Sequence, residues 1–186
     1  MAAGLGGGSA DAAATLRIAN ELGGQPLGRE ELLRLAVDLG SDVPSQLDPG
    51  HALVQGTGER VEPVELPPFT AVVVPDQEGL STAAVYAELD RLAATRADLD
   101  SAALRELAAT AEGAADLADA LDNDLQKAAL SLRPDLEDKL DALLDAGARG
   151  AAVSGSGPTC FGIFEGRDAA EAAASTIPGA LLAESR

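Results

Sequence analysis

The chain has 186 residues with 31 acidic against 13 basic side chains, a net charge of −18, and this balance argues against a surface built for nucleic acid or anionic membrane, which needs clustered Lys and Arg. A composition of 46% hydrophobic and 24% charged residues is that of a globular protein able to bury a core without staples. The single cysteine, Cys160, excludes an internal disulfide and a multi-cysteine metal site; with no apolar run near the roughly 18 residues of a membrane span, the expected setting is the cytoplasm.

The most suggestive segment lies at the start: Gly4, Leu5, Gly6, Gly7, Gly8 and Ser9, followed by Ala10 and Asp11. Adjacent glycines before a helix can turn backbone N–H groups toward a phosphate, and the helix dipole adds partial positive charge. No Gly-Lys-Ser/Thr follows, so this is not a Walker A loop, and Ser9 stands where a dinucleotide fingerprint has its third glycine. The bland alternative is a flexible glycine-alanine tail. From Ser9 to Leu22, Leu16, Ala19 and Leu22 share one stripe, which predicts a helix whose first turn Ser9 or Asp11 can cap or charge and which Gly23 and Gly24 close. A second helix is expected from Gly28 to Leu39.

Asp42 follows in Leu39-Gly40-Ser41-Asp42-Val43-Pro44. A carboxylate on a Gly/Pro-bounded turn can serve as a base toward a hydroxyl, or simply cap the turn. His51 to Gln55 and Arg60 to Val64 read as a hairpin, and Pro67-Pro68 marks a domain boundary, giving domains 1–68 and 69–186. Phe69 to Pro75 predicts a buried strand, and Ser81 caps a helix reaching Leu92. Helices are expected at 101–112 and 116–121, and another from Leu125 to Asp145 that breaks near Pro134. Ala151 to Ser154 and Thr159 to Phe164 predict strands around Gly155, Ser156, Gly157 and Pro158; a helix from Asp168 to Thr176 and a strand from Ala180 to Ala183 complete an α+β pattern. Cys160 and the phenylalanines read as core, His51 as structural, and the acidic helices within 98–145 as solvated faces. Tyr86, the sole tyrosine, suits either a core or a base-stacking role.

Three segments in this order resemble the motifs of the GHMP small-molecule kinase superfamily: Gly4 to Ala13 its ATP-binding motif, Leu39 to Pro44 its catalytic aspartate segment, and Gly150 to Phe161 its third, glycine-rich motif. Asn123-Asp124-Leu125 before a helix adds to the likeness, which points to the branch that phosphorylates a cytidine-diphosphate-linked polyol for isoprenoid synthesis. The resemblance implies a ribosomal-S5-domain-2-like N-terminal part, truncated here, and a ferredoxin-like C-terminal domain. It implies ATP as co-substrate with Mg²⁺, and no metal held by the protein alone. Gly4, Leu5, Gly6, Gly7, Gly8 and Ser9 would wrap the phosphates, and Asp42 would be catalytic. Gly155, Ser156 and Gly157 would border the acceptor, with Tyr86 against the cytosine.

Family members open with a strand carrying a lysine that helps activate the acceptor, whereas the lysines here are Lys127 and Lys139. The expectation is a chain short of roughly a third of the family's length at its N-terminus, with little or no kinase turnover and exposed sheet edges that favour association. A different GHMP acceptor, or a fragment that binds nucleotide without turnover, are the alternatives.

Overall fold

The computed structural model describes residues 4–93 and 100–185; the parts of the expected segments that fall at 1–3, 98, 99 and 186 lie outside it. The described residues divide into two units. The smaller comprises Gly6–Leu66 with Ala102–Ala109; the larger comprises the described residues within Met1–Leu5, Pro67–Ser101 and Thr110–Arg186.

In the smaller unit, helix α1 runs Gly7–Leu22 and α2 runs Arg29–Leu39. The first begins earlier than its side chains suggest. Gly6 in the left-handed region occupies the N-cap, and no side chain caps the helix. The capping expected of Ser9 or Asp11 is therefore overturned: both already lie inside the helix, and the Asp11 carbonyl accepts the Thr15 hydroxyl at 2.8 Å. Gly28 caps α2, with Glu31 reaching back to its N–H. Alanines let these helices approach: Ala13, Ala36, Val43 and Leu47 form one buried cluster, with a 3-10 turn at Pro44–Gln46 closing it. Strands β1 (Ala52–Gln55) and β2 (Arg60–Pro63) pair antiparallel with Val54 opposite Val61, the expected hairpin. Helix α4 (Ser101–Thr110) supplies Arg105, whose guanidinium lies 2.7 Å from Glu62 of β2 and holds that carboxyl below its ordinary range.

The larger unit is built on a four-stranded antiparallel sheet in the order β4 (Gly150–Val153), β5 (Cys160–Phe164), β3 (Thr70–Val74), β6 (Leu181–Glu184). Its helices are α3 (Thr82–Leu92), α5 (Ala114–Asp119), α6 (Asp124–Leu132), α7 (Asp135–Asp145) and α8 (Arg167–Thr176). The break near Pro134 separates α6 from α7, because proline has no N–H to continue the ladder and is tolerated at a helix start. Val72, Val85, Leu136, Leu143, Val153, Cys160 and Phe164 are buried together as the core. Burial pushes the Cys160 thiol up to about 11, so it is a protonated, inert apolar group at neutral pH. Among the described residues no helix is long and apolar enough to cross a membrane. With mixed helix and antiparallel sheet, the α+β expectation holds.

Not all of the acidic helical stretch is a solvated face. Just past β3, Asp76 meets Lys139 of α7 at 2.5 Å and Arg133 at 2.9 Å, while Arg133 also meets Asp135 at 2.6 Å. The Lys139 ammonium, with the Glu78 N–H and the Arg133 guanidinium, draws the Asp76 carboxyl down to about 2. Its folded pKa thus lies below the ordinary carboxylate value. The stabilisation is complete at neutral pH and fades as acid protonates Asp76, from about pH 4 down toward pH 2. Asp76→Asn, which leaves Lys139 without its carboxylate, should lower unfolding stability at pH 7 by about 2 kcal/mol. It should also flatten the acid limb between pH 4 and 2, as read from urea midpoints across pH.

Candidate functional site

The expected site residues fall on both units, and each group has its own local cause. In the larger unit the turn between β4 and β5 is made of Ser154, Gly155, Ser156, Gly157 and Pro158. Gly155 and Gly157 take positive φ of 55° and 78°, which lets a chain of small residues reverse tightly. The turn pairs with itself through Ser154 N–H to the Thr159 carbonyl and Gly157 N–H to the Ser154 carbonyl, both at 2.8 Å. Neighbouring helix starts add further bonds. Asn123, the N-cap of α6, donates from its amide to the Val153 and Gly155 carbonyls, each at 2.8 Å, and Gln126 accepts from the Val153 N–H at 2.9 Å. Thr82, in the first turn of α3, meets the buried Ser156 hydroxyl at 2.9 Å.

Gly4 belongs to this cluster. The Ser154 hydroxyl donates to the Gly4 carbonyl at 2.7 Å. Gly4 has a φ of 73°, and a Cβ there would overlap the Ser154 carbonyl oxygen and sit 3.0 Å from that of Gly157. Only glycine fits. Tyr86 lies one helical turn beyond Thr82, on the same face of α3, and is 53% exposed. It is not a core residue, so its ring is open to a ligand.

In the smaller unit, Gly6, Gly7, Gly8 and Ser9 form the start of α1. The Ala10 N–H closes the first helical bond to the Gly6 carbonyl at 2.9 Å, leaving the amides of Gly7, Gly8 and Ser9 ahead of the ladder. The first turn carries no acidic side chain. Leu5 and Gly6 to Gly8 are exposed.

Asp42 is exposed on a turn whose backbone is fixed on both sides. Val43 and Pro44 are buried, the Val43 N–H bonds the Gly40 carbonyl at 3.1 Å, and the Ser45 hydroxyl donates to the Asp42 carbonyl at 2.9 Å. The tip of the β1–β2 hairpin presses on the same turn: Gly58, at a φ of 98°, lies so close that a Cβ would overlap the Ser41 carbonyl oxygen. The carboxylate is presented on a rigid support with its side chain outward.

Gln126 and Thr82 were not foreseen from sequence, and Asn123 was seen only as part of a family-like motif. The available signal was an Asn or Ser ahead of a helix, with a polar residue in its first turn. Among the described residues no group of three or more His, Cys, Asp or Glu gathers to hold a metal ion.

Residues 1–50 match the family described as GHMP kinases N terminal domain, and residues 100–181 match GHMP kinases C terminal. The chain is 49% identical over 190 residues to the 4-diphosphocytidyl-2-C-methyl-D-erythritol kinase of Nocardia farcinica, covering 100% of this chain and 61% of that relative. It is 46% identical to the enzyme of the same name from Streptomyces avermitilis, covering 95% and 61%. This chain therefore spans 61% of the length of these curated relatives. A crystal structure of 4-(cytidine 5'-diphospho)-2C-methyl-D-erythritol kinase is similar with a TM-score of 0.80 at 35% identity, over 99% of this chain and 66% of that one. Homoserine kinase from Cytophaga hutchinsonii shares the fold, with a TM-score of 0.73 at 21% identity over 100% of this chain and 66% of that one.

The two steric demands on Gly58 can be separated by experiment. Gly24 has a similar positive φ of 82° but nothing within 4 Å of a Cβ. Gly24→Ala should cost only the conformational penalty of about 1 kcal/mol, whereas Gly58→Ala should cost more than about 2 kcal/mol by displacing the Ser41–Asp42 backbone. Urea unfolding of the two variants against the parent chain measures the difference.

Proposed function

The chain belongs to the GHMP kinase family, and we propose that it carries the nucleotide- and acceptor-binding parts of a small-molecule kinase acting on 4-diphosphocytidyl-2-C-methyl-D-erythritol. The reaction is transfer of the ATP γ-phosphoryl group to the 2-hydroxyl of that polyol, a step of non-mevalonate isoprenoid synthesis. The names of the relatives similar to it over nearly all of this chain support the choice of acceptor. The two parts fall into domains of residues 1–68 and 69–186.

The single observation that carries the nucleotide reading is the pair Gly7 and Gly8. Both sit in ordinary helical conformation, and a Cβ on either would meet nothing within 4 Å. The local fold does not require glycine there, and glycine in a helix costs roughly 0.5–1 kcal/mol relative to alanine. A ligand that approaches the backbone more closely than a methyl group allows supplies the missing reason. The uncapped amides ahead of the α1 ladder, with no acidic residue in the first turn, favour an anion such as a phosphate.

Gly4, Leu5, Gly6, Gly7, Gly8 and Ser9 are thus assigned to the ATP phosphates, with Mg²⁺ arriving with the nucleotide. Asp42 orients the acceptor hydroxyl and takes its proton. Such transfer depends on positioning and charge stabilisation more than on covalent help from the protein. Gly155, Ser156 and Gly157 border the acceptor, and the exposed Tyr86 ring stacks on cytosine. A net charge of −18 supports neither nucleic acid nor membrane as partner, and the single cysteine suits a reducing cytoplasm.

The lysines bear on rate. Lys139 is held by Asp76 and Lys127 is exposed on α6; with neither assigned to the phosphoryl group, the 186-residue chain should bind ATP with at most trace turnover. Two measurements follow. Gly8→Ala should leave unfolding stability unchanged or raise it by up to about 1 kcal/mol, while weakening a non-hydrolysable Mg·ATP analogue at least tenfold by calorimetry; unchanged affinity would remove the phosphate assignment. Asp42→Asn should keep that affinity within about twofold and lower any acceptor-dependent ADP release by about 10²–10⁴. Robust release that survives the substitution would overturn the role of Asp42.

A further inference from the structure

A strand at the edge of a sheet leaves backbone groups unpaired, and β4 is such an edge, bonded only to β5. Its last residue, Val153, is nevertheless fully satisfied: its N–H meets Gln126 and its carbonyl meets Asn123. The same Asn123 amide reaches over to the Gly155 carbonyl. Its oxygen meanwhile accepts the Leu125 N–H at 3.0 Å, capping α6. One side chain therefore performs two separable jobs, with its oxygen on its own helix and its NH₂ on the turn 30 and 32 residues away in sequence.

We propose that Asn123 and Gln126 are positioning residues for the Ser154–Gly157 turn, and through the Ser154 hydroxyl for Gly4, the first residue of the glycine run. The turn cannot hold this shape alone. Both of its glycines have positive φ, Gly155 is exposed, and its self-pairing rests on the two backbone bonds at Ser154 and Gly157. Asn123 fixes the carbonyls on both sides of Ser154, those of Val153 and Gly155, so the Ser154 hydroxyl is aimed at the Gly4 carbonyl by anchors on either side of it. The choice of Asn over the equally good caps Asp and Ser follows directly, because neither can donate two hydrogen bonds from an NH₂.

The value of this clamp for catalysis rests on the kinase reading above; the clamp itself does not, and the test keeps them apart. Asn123→Asp retains the cap acceptor on α6 and removes both donated bonds. By residue-resolved amide exchange of the whole chain, the Ser154 and Gly157 amides should exchange at least tenfold faster in Asn123→Asp, with the amides of α6 near parent rates. Gln126→Leu, which leaves the cap untouched, should speed the Val153 amide by a similar factor. In Ser154→Ala, the heteronuclear NOE of Gly4 should fall to the value of an unrestrained tail. A residue that only caps α6 would give parent exchange at Ser154 and Gly157 in Asn123→Asp, and that result overturns the proposal. If Asn123→Asp fails to fold, unchanged Val153 exchange in Gln126→Leu overturns it instead. Calorimetry then reads the consequence: loosened turns should weaken the Mg·ATP analogue three- to tenfold. A parent chain that binds no nucleotide refutes the kinase reading while the exchange data still decide the clamp.

Discussion

A tight turn of small residues has more backbone polar groups than it can pair within itself, and the organisation of the larger unit follows from that shortage. Pro158 packs one end of the turn into the core, but the small residues from Ser154 to Gly157 bring little apolar surface, so their backbone groups need hydrogen-bond partners from elsewhere. The bonds come from the first turns of two helices, α6 through Asn123 and Gln126 and α3 through Thr82. Both helices are themselves fixed by the apolar core, with Val85 and Leu89 of α3 beside Ala128 and Ala129 of α6. Rigid packing is thereby extended by hydrogen bonds to a segment of small residues.

The elements of the fold were legible because most of them carry local signals. The Ser81 cap, the Gly56-to-Glu59 turn and the Pro134 break each act over a few residues, and each element formed where its signal lies. The start of α1 was misplaced for a physical reason. Propensity argues against glycine in a helix, yet Gly7 and Gly8 are helical because Gly6 takes a conformation that sets the first turn without any side-chain cap. The acidic helices were read as uniformly solvated, which overlooked the Asp76 cluster. Asp76 is distant in sequence from Arg133 and Lys139, and nothing local to α7 announces that its lysine has a half-buried carboxylate to meet.

Much of the candidate site was legible as residues but not as a mechanism of support. The order of the glycine run, the Asp42 turn and the Ser154–Gly157 turn is visible in the chain. What holds them is not. Gly58 touches Ser41 only after a hairpin has folded back, and Asn123 reaches carbonyls whose partners cannot be inferred from a motif of three residues. Long-range contacts between a polar side chain and backbone leave no periodicity, since the acceptor residue can be almost any type.

The glycine run itself contains two kinds of glycine, and the difference between them is the strongest guide to function. Gly4 is explained by the fold: its positive φ and the carbonyls of Ser154 and Gly157 exclude every larger residue. Gly7 and Gly8 are explained by nothing in the fold, since their dihedrals suit any residue and the space around them is open. A helix start that forgoes a side-chain cap, an acidic first turn and alanine's propensity at once has given up three independent sources of stability. All three omissions have the same effect, which is to leave backbone amides bare and the surface above them clear of bulk and negative charge. A phosphate needs both conditions, and no structural requirement of α1 needs either.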